Sequence, residues 1–134
     1  GCRITINVDD LRAKASADGW SKRRFAVGDI TYDTGETGIL VYLKASMTGA
    51  EDTSVRQYKS SHPEFPHEST GDLFYGEDQF ESYRHLGRDI GREVFDDLKN
   101  EASLVTAAKK LAAAEKARQS AALLAVAAAP ASAR

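Results

Sequence analysis

The chain has a single cysteine, Cys2, in 134 residues. One thiol excludes an internal disulfide and any cysteine-based metal site, and it is only weak evidence for a reducing compartment. No apolar run approaches the roughly 20 residues that span a bilayer, and no signal-peptide pattern is visible. Eighteen basic residues face 20 acidic ones, a net charge of -2. With no basic block and no basic stripe interleaved with aromatics, the electrostatic footprint of a nucleic-acid binder is missing. A Gly-x-Ser-x-Gly nucleophile elbow is absent, so the chain carries no hydrolase serine of that type. No Gly-rich phosphate loop is present either.

What is there is enough for one modest core: hydrophobic residues make up 42% and charged residues 28%, an ordinary composition for a globular domain. The first third reads as β. Ile4, Ile6 and Val8 alternate with Thr5 and Asn7, the period of a half-buried strand over about 3–9. A second strand covers about 24–32. It places Phe25, Val27 and Asp29 on one face and Ala26, Ile30 and Tyr32 on the other, with Gly28 marking a bulge or a close backbone approach. Residues 33–38 form a hairpin loop in which Gly35 and Gly38 supply positive φ. The third strand, about 38–45, carries Ile39-Leu40-Val41-Tyr42-Leu43, a run that belongs to a strand buried on both faces. Three strands and a loop cannot cover both sides of it. The C-terminal helices, or protein outside this chain, must do so. A chain that opens directly in strand residues also reads as a fragment or excised domain, with a tag scar before a natural start as the alternative.

Between the first two strands lies the polar stretch 9–21, in which Leu11 to Lys14 suit a short helical turn and Asp18-Gly19 is a turn signal. Glu51 and Asp52 open a helix over about 51–60, the acidic pair suiting the positive end of the helix dipole. Pro63 and Pro66 stop it. Thr70 or Asp72 is placed to cap a turn at Leu73-Phe74-Tyr75. A longer helix over about 77–98 shows a stripe at Phe80, Tyr83, Leu86 or Gly87, Ile90, Val94 and Leu98. Its charges, Glu81, Arg84, Arg88, Asp89, Arg92 and Glu93, alternate in sign as on a solvated face. From Glu101 onward alanine dominates, and 99–134 reads as a helical tail ending at Pro130. Its thin apolar face, Leu104, Ala108 and Leu111, then Leu123, Leu124 and Val126, predicts a helix partly detached or lying against a partner. The chain therefore divides into 1–98 and the Ala-rich tail.

The candidate site residues lie in the loop 62–71 and the helix after it. His62 and His67 are five apart with Glu64 and Glu68 nearby. Zinc could use such a set, but the spacing is not that of a helical metal pair. A structural role accounts for these residues better. His67, Glu68, Ser69 and Thr70 would hydrogen-bond loop backbone that the prolines leave unpaired, and Phe65 would anchor the loop by burying its ring. Phe74, Tyr75, Phe80 and Tyr83 form an aromatic cluster that reads first as a helix face packed on the sheet, and second as an acyl-chain or membrane-contact surface. The list of structural or rim residues is thus His62, Phe65, His67, Glu68, Thr70, Phe80 and Tyr83. No metal ligand or cofactor-binding residue is assigned.

Several of these segments, in order, resemble the C-terminal end of the catalytic region of large bacterial patatin-like phospholipases. They are Arg3-Ile4-Thr5-Ile6-Asn7-Val8, Phe25-Ala26-Val27-Gly28-Asp29-Ile30-Thr31-Tyr32, Gly38-Ile39-Leu40-Val41-Tyr42-Leu43-Lys44-Ala45-Ser46 and the exit turn Thr48-Gly49-Ala50-Glu51. The most specific are His62-Pro63-Glu64-Phe65-Pro66-His67-Glu68-Ser69-Thr70 and Gln79-Phe80-Glu81-Ser82-Tyr83-Arg84. The resemblance covers about 3–90. It implies an α/β fragment, three mostly antiparallel strands followed by helices, that completes a larger sheet. It also implies a parent enzyme that cleaves fatty acyl esters with a serine nucleophile and an aspartate base. Neither residue can be carried onto this sequence. Asp18-Gly19-Trp20 partly matches the family's Asp-Gly-Gly or Asp-Gly-Ala, but Trp20 replaces the small residue, and the stretch aligns downstream of the catalytic aspartate. No catalytic residue is assigned, and the chain alone is expected to be inactive. The implied partners are the remainder of the parent polypeptide and, through it, a lipid substrate, with self-association through the Ala-rich helix as a further possibility. The implied location is the cytoplasm or the cytoplasmic side of a membrane. The rival reading is a self-contained interaction or oligomerisation module.

Overall fold

The structure, a computed structural model, describes residues 1–13, 19–69, 71 and 73–128. Three strands, β1 (Cys2–Ile6), β2 (Phe25–Tyr32) and β3 (Thr37–Leu43), form one antiparallel sheet in the order β1-β2-β3. Helices α1 (Thr53–Ser61), α2 (Glu77–Phe95) and α3 (Leu104–Ala128) follow. A 3-10 turn at Asp9–Leu11 succeeds β1, a turn earlier than the one expected from Leu11, and another at Asp96–Leu98 closes α2. The expected α/β class, antiparallel strands then helices ending in a long helix, is what the fold contains.

The pairing register runs through Gly28 without a bulge, opposite Ile6 on one side and Leu40 on the other. The reason for glycine is the close approach of β1. A Cβ there would lie 2.7 Å from the Thr5 carbonyl oxygen and 2.8 Å from the Ile6 Cβ. In the hairpin only Gly35 has positive φ, at 87°. Gly38 is instead an ordinary strand residue paired with Ile30. The expectation that both glycines turn the chain is corrected accordingly.

Register and strand alternation divide the sheet into two faces. Phe25 and Val27 of β2, with Ile39 and Val41 of β3, pack on Val94 of α2 and on Leu111 and Ala112 of α3. The opposite face carries Ile4, Ile6, Ala26, Ile30, Tyr32, Leu40 and Tyr42; among the described residues no helix packs on it, although Ala26 is buried. Ile4 is 50% exposed, Tyr32 41% and Tyr42 43%. Among the described residues β3 is thus covered on one face only, by α2 and α3, the first of the two kinds of cover that its continuous apolar run left open.

A second core sits beside the sheet. Val55 of α1, Leu86 and Ile90 of α2, Met47 and Phe65 are buried together, with Trp20, Tyr58 and Tyr83 packed around them. The buried line of α2 runs Ser82, Leu86, Ile90 and Val94, continuing at Leu98. Phe80 lies off it and is 59% exposed. Phe74 and Tyr75 are exposed as well. The aromatic cluster is thus not a face packed on the sheet. Tyr83 alone joins the core, and Tyr75 meets it edge-on at 6.4 Å.

Ion pairs tie the helices down. Arg24 at the start of β2 reaches Glu93 of α2 at 2.6 Å and Glu51 at 3.4 Å, so Glu93 is more than part of a solvated face. Glu51 does not sit in the first turn of α1. Its buried carboxylate accepts from the backbone N–H of Thr48 at 2.8 Å and of Gly49 at 2.9 Å. Asp52 alone caps the helix, accepting from the Thr53 N–H. On the Ala-rich helix, Ala107, Ala112 and Glu115 are buried while Leu104 is 84% exposed. Glu115 pairs with Arg23 and Arg118, and Arg118 reaches Asp10. The C-terminal part of α3, with exposed Leu123 and Leu124, extends away from these contacts.

Candidate functional site

The loop between α1 and α2 is built around one ring. Phe65 is fully buried, held edge-on by Tyr58 at 5.1 Å and by Tyr83 at 4.8 Å. Such T-shaped contacts set the electropositive ring edge against a neighbour's π-face. The peptide bond from Phe65 to Pro66 is cis. The Lys59 ammonium closes the turn, donating to the Pro63 and Phe65 carbonyls at 2.6 Å each. Lys59 of α1, rather than the loop residues His67, Glu68 and Ser69 expected to do so, is the side chain that satisfies these carbonyls.

Glu68 joins the loop to both helices. It accepts from the Tyr58 hydroxyl at 3.2 Å and from the Gln79 amide at 2.9 Å. Burial, then the charge and hydrogen bond of Glu68, push the Tyr58 phenol up to about 12. Tyr83 is raised as well, by burial first, then by the hydrogen bond and the charge of Glu68. Both phenols are therefore neutral donors at physiological pH, fixing the carboxylate rather than titrating.

His62 and His67 are not brought together. The His62 ring stacks on Tyr58 at 3.9 Å, with Nδ1 3.1 Å from the Tyr58 carbonyl. It lines a polar cleft of about 400 Å³ between α1 and α2, with Ser54, Asp78, Glu81, Ser82 and His85. Among the described residues no hydrogen bond joins a serine hydroxyl to an imidazole in that cleft. Ser82 donates to the Asp78 carbonyl instead, and His85 lies 3.7 Å from Glu81, which Arg84 already engages. This is not the relay of an activated serine. His67 opens into a different hollow, of about 180 Å³, beside Trp20, Met47 and Lys59. Burial, then the charges of Lys44 and Lys59, hold its imidazole below the usual range. No group of three His, Cys, Asp or Glu side chains that could hold a metal ion occurs among the described residues.

Of the expected loop and rim residues, Phe65, Glu68 and Tyr83 form one network, His62 and His67 flank it on separate clefts, and Phe80 stands out in solvent. Thr70 lies outside the described residues, as do Asp72 and the Asp18 of Asp18-Gly19-Trp20. Sequence reasoning missed Lys59, Lys44 and Tyr58. The i,i+4 placement of Lys59 and Pro63 was the available signal for the first. No family model, curated protein or solved structure matches this chain.

Proposed function

We propose that this chain is the C-terminal structural portion of a patatin-like lipid acyl hydrolase whose catalytic serine and aspartate lie elsewhere in the parent polypeptide. The observation that carries the reading is the bare apolar face of the sheet, Ile4, Ile30, Tyr32, Leu40 and Tyr42, on a sheet whose outer strands each present an unpaired edge among the described residues. An uncovered face and open edges favour further layers and further strands. An apolar hollow of about 340 Å³ between β3 and the junction of α2 with α3, lined by Val41, Phe95, Leu98 and Leu111, adjoins one of those edges.

In this reading the remainder of the parent covers the bare face, and the chain supplies scaffold rather than chemistry. The exposed Leu73, Phe74, Tyr75 and Phe80 contribute to a lipid-facing rim, and substrate is met through the parent enzyme. Among the described residues no helix is long and apolar enough to cross a membrane; the proposed location is the cytoplasm or the cytoplasmic surface of a membrane. The test is the coding sequence upstream of Gly1. An in-frame Gly-x-Ser-x-Gly followed by Asp-Gly-Gly or Asp-Gly-Ala supports the reading, and a start codon abutting Gly1 with neither motif upstream overturns it.

One observation favours a second reading, an oligomerisation module: Leu123 and Leu124 on α3 are 72% and 71% exposed. Sedimentation separates the two. If Leu123→Glu with Leu124→Glu dissociates an assembly that Ile4→Lys with Tyr42→Lys leaves intact, the module reading holds. The opposite pattern favours the bare sheet face.

A further inference from the structure

The two edges of the sheet are not alike. In an antiparallel ladder alternate residues bond to the neighbouring strand, and the residues between them turn their N–H and C=O groups away from it. The Glu36 carbonyl accepts from the Tyr32 N–H at 3.0 Å, and the Lys44 N–H donates to the Arg24 carbonyl at 2.9 Å. The even-numbered residues of β3 therefore bond to β2, and Thr37, Ile39, Val41 and Leu43 present their backbone groups at the edge. On β1 the Asp33 N–H donates to the Gly1 carbonyl at 3.2 Å, which turns Cys2, Ile4 and Ile6 outward. That edge is five residues long and contains Arg3, and short, charged edges resist strand addition. The β3 edge is seven residues long, without a charge, a proline or a break in register. It also borders the apolar hollow of about 340 Å³ in which Val41 meets Phe95, Leu98 and Leu104, and Phe95 and Leu104 are both exposed there.

We propose that β3 pairs with β3 of a second copy of this chain, antiparallel about Leu40, joining two sheets of three strands into one. Centring on Leu40 sets Ile39 opposite Val41 and Thr37 opposite Leu43 of the other copy. All four are outward residues, so each of these pairs exchanges two hydrogen bonds. One residue beyond the strand, Glu36 falls opposite Lys44 of the other copy, and two-fold symmetry repeats the pair at the far end. Both charges are open to such a partner. Glu36 accepts from the Thr34 hydroxyl at 3.2 Å and Lys44 donates to the Leu11 carbonyl at 3.2 Å, and neither forms an ion pair among the described residues. Sliding the pairing by two residues keeps the hydrogen-bond pattern but sets Glu36 opposite Tyr42 or Ser46 and loses both ion pairs. The charges at the two ends of one edge thus complement each other, which is what an antiparallel copy of the same edge requires. A two-fold axis normal to the sheet keeps the helices of both copies on one side. The two hollows then adjoin across the axis, and Phe95 and Leu104 of each copy leave water together. The β1 edge and the open face stay free for the parent chain, and the pairing does not rest on the hydrolase reading.

The test is sedimentation equilibrium of the whole chain over a range of concentrations, with amide hydrogen exchange read residue by residue. The expected result is a monomer–dimer equilibrium in which the Ile39, Val41 and Leu43 amides slow as the dimer fills. The Leu40 and Tyr42 amides, bonded to β2, should be protected at every concentration. Glu36→Lys and Lys44→Glu each set like charges opposite one another at both ends and should raise the dissociation constant about ten-fold. Mixing these two variants restores opposite charges at both ends, so the mixture should form a heterodimer as tight as the unmodified pair. Lys44→Glu also gives up the Leu11 contact. Thr37→Pro, which removes an outward N–H at the first residue of an edge strand, weakens the dimer with the sheet intact and keeps the test independent of how Lys44→Glu folds. The proposal is overturned if the chain stays monomeric at every concentration, or if the mixture associates no better than either variant alone. It is also overturned if an assembly forms while the Ile39, Val41 and Leu43 amides still exchange freely, the outcome expected of pairing through Leu123 and Leu124.

Discussion

Replacing Glu51 with alanine tests what holds the sheet to the helices. The Glu51 side chain is fully buried and meets four donors: the Thr48 N–H at 2.8 Å, the Thr48 hydroxyl at 3.0 Å, the Gly49 N–H at 2.9 Å and Arg24 at 3.4 Å. Removing it orphans two backbone donors and strips the 11% exposed Arg24 of one of its two carboxylates. An orphaned buried donor costs about 1–3 kcal/mol. Thr48 and Gly49 are half-buried, so water reaches them in part and the lower end applies to each. Arg24 keeps Glu93, which holds its loss below the 3–5 kcal/mol typical of a fully broken buried pair. The sum is about 3–4 kcal/mol, a large fraction of the 5–15 kcal/mol that stabilises a typical domain.

Urea unfolding reads this directly. With a slope of roughly 1–3 kcal/mol per molar for a domain of this size, the midpoint should fall by about 1–4 M at unchanged slope. Glu51→Gln keeps one carbonyl oxygen as acceptor and should lose about half as much. A Glu51→Ala midpoint shift equivalent to less than about 0.5 kcal/mol, the range of ordinary surface substitutions, would refute the reasoning.

Three further outcomes follow from the same contacts. Burial alone would raise the Glu115 pKa, but hydrogen bonds from Arg118, Gln119 and Arg23 overcome it and hold it at about 2. A carboxylate depressed in the folded state contributes stability that is present above its unfolded value and lost as pH falls toward the folded one. Docking of α3 should therefore weaken between about pH 4.5 and 2 by at most about 3 kcal/mol, less for solvent screening at half-exposed Arg118. Acid titration of the helix signal should lose this component in Glu115→Gln. Gly28→Ala places a methyl against the Thr5 carbonyl and should cost about 1–3 kcal/mol, with hydrogen exchange quickening in β1 before β3. Phe65→Ala empties the aromatic anchor and should cost about 3–5 kcal/mol, seen as a lower thermal midpoint and loss of the Tyr58 and Tyr83 ring-current shifts.

The elements legible in the sequence were those with a period. Alternation in Ile4-Thr5-Ile6 and the four-residue step Leu86, Ile90, Val94, Leu98 placed β1 and α2 to within a few residues. Phe65 declared itself as an apolar ring between two prolines. The failures have separate physical causes. Ile39 to Leu43 is continuous because a strand can be apolar on a face that this chain leaves open. Local sequence cannot distinguish that from burial by its own helices. Glu51 beside Asp52 looks like a pair of N-terminal charges, yet only one is needed as a cap, and the other turns back to bind the preceding loop. Phe80 fits the α2 stripe in spacing but sits one helical step off the axis of contact. The links that decide the packing, Arg24 to Glu93 and Arg23 to Glu115, join residues 69 and 92 positions apart, a separation at which no periodicity carries information.

The covered face of the sheet and the core beside it are held by different physics. On the covered face α3 contributes mainly alanine, and an alanine methyl removes little apolar area from water. At roughly 25 cal/mol per Å², Ala107 and Ala112 cannot match a Leu–Ile contact. The helix is instead fixed by the buried Glu115 between Arg23 and Arg118, by Arg118 with Asp10 and by Lys116 with Asp29. Ion pairs orient more than they stabilise, because the desolvation of each charge offsets much of its attraction. The Phe65 core beside the sheet, with Val55 and Leu86 fully buried, relies on apolar packing and aromatic contacts. The firmest part of the fold is therefore the α1–loop–α2 unit. The sheet is held to it through Arg24 and Val94, while its open face offers Ile4, Ile30, Tyr32 and Tyr42. A layer laid on that face would bury more apolar area per residue than α3 does on the other, so the sheet has more to gain from a partner than from its own tail.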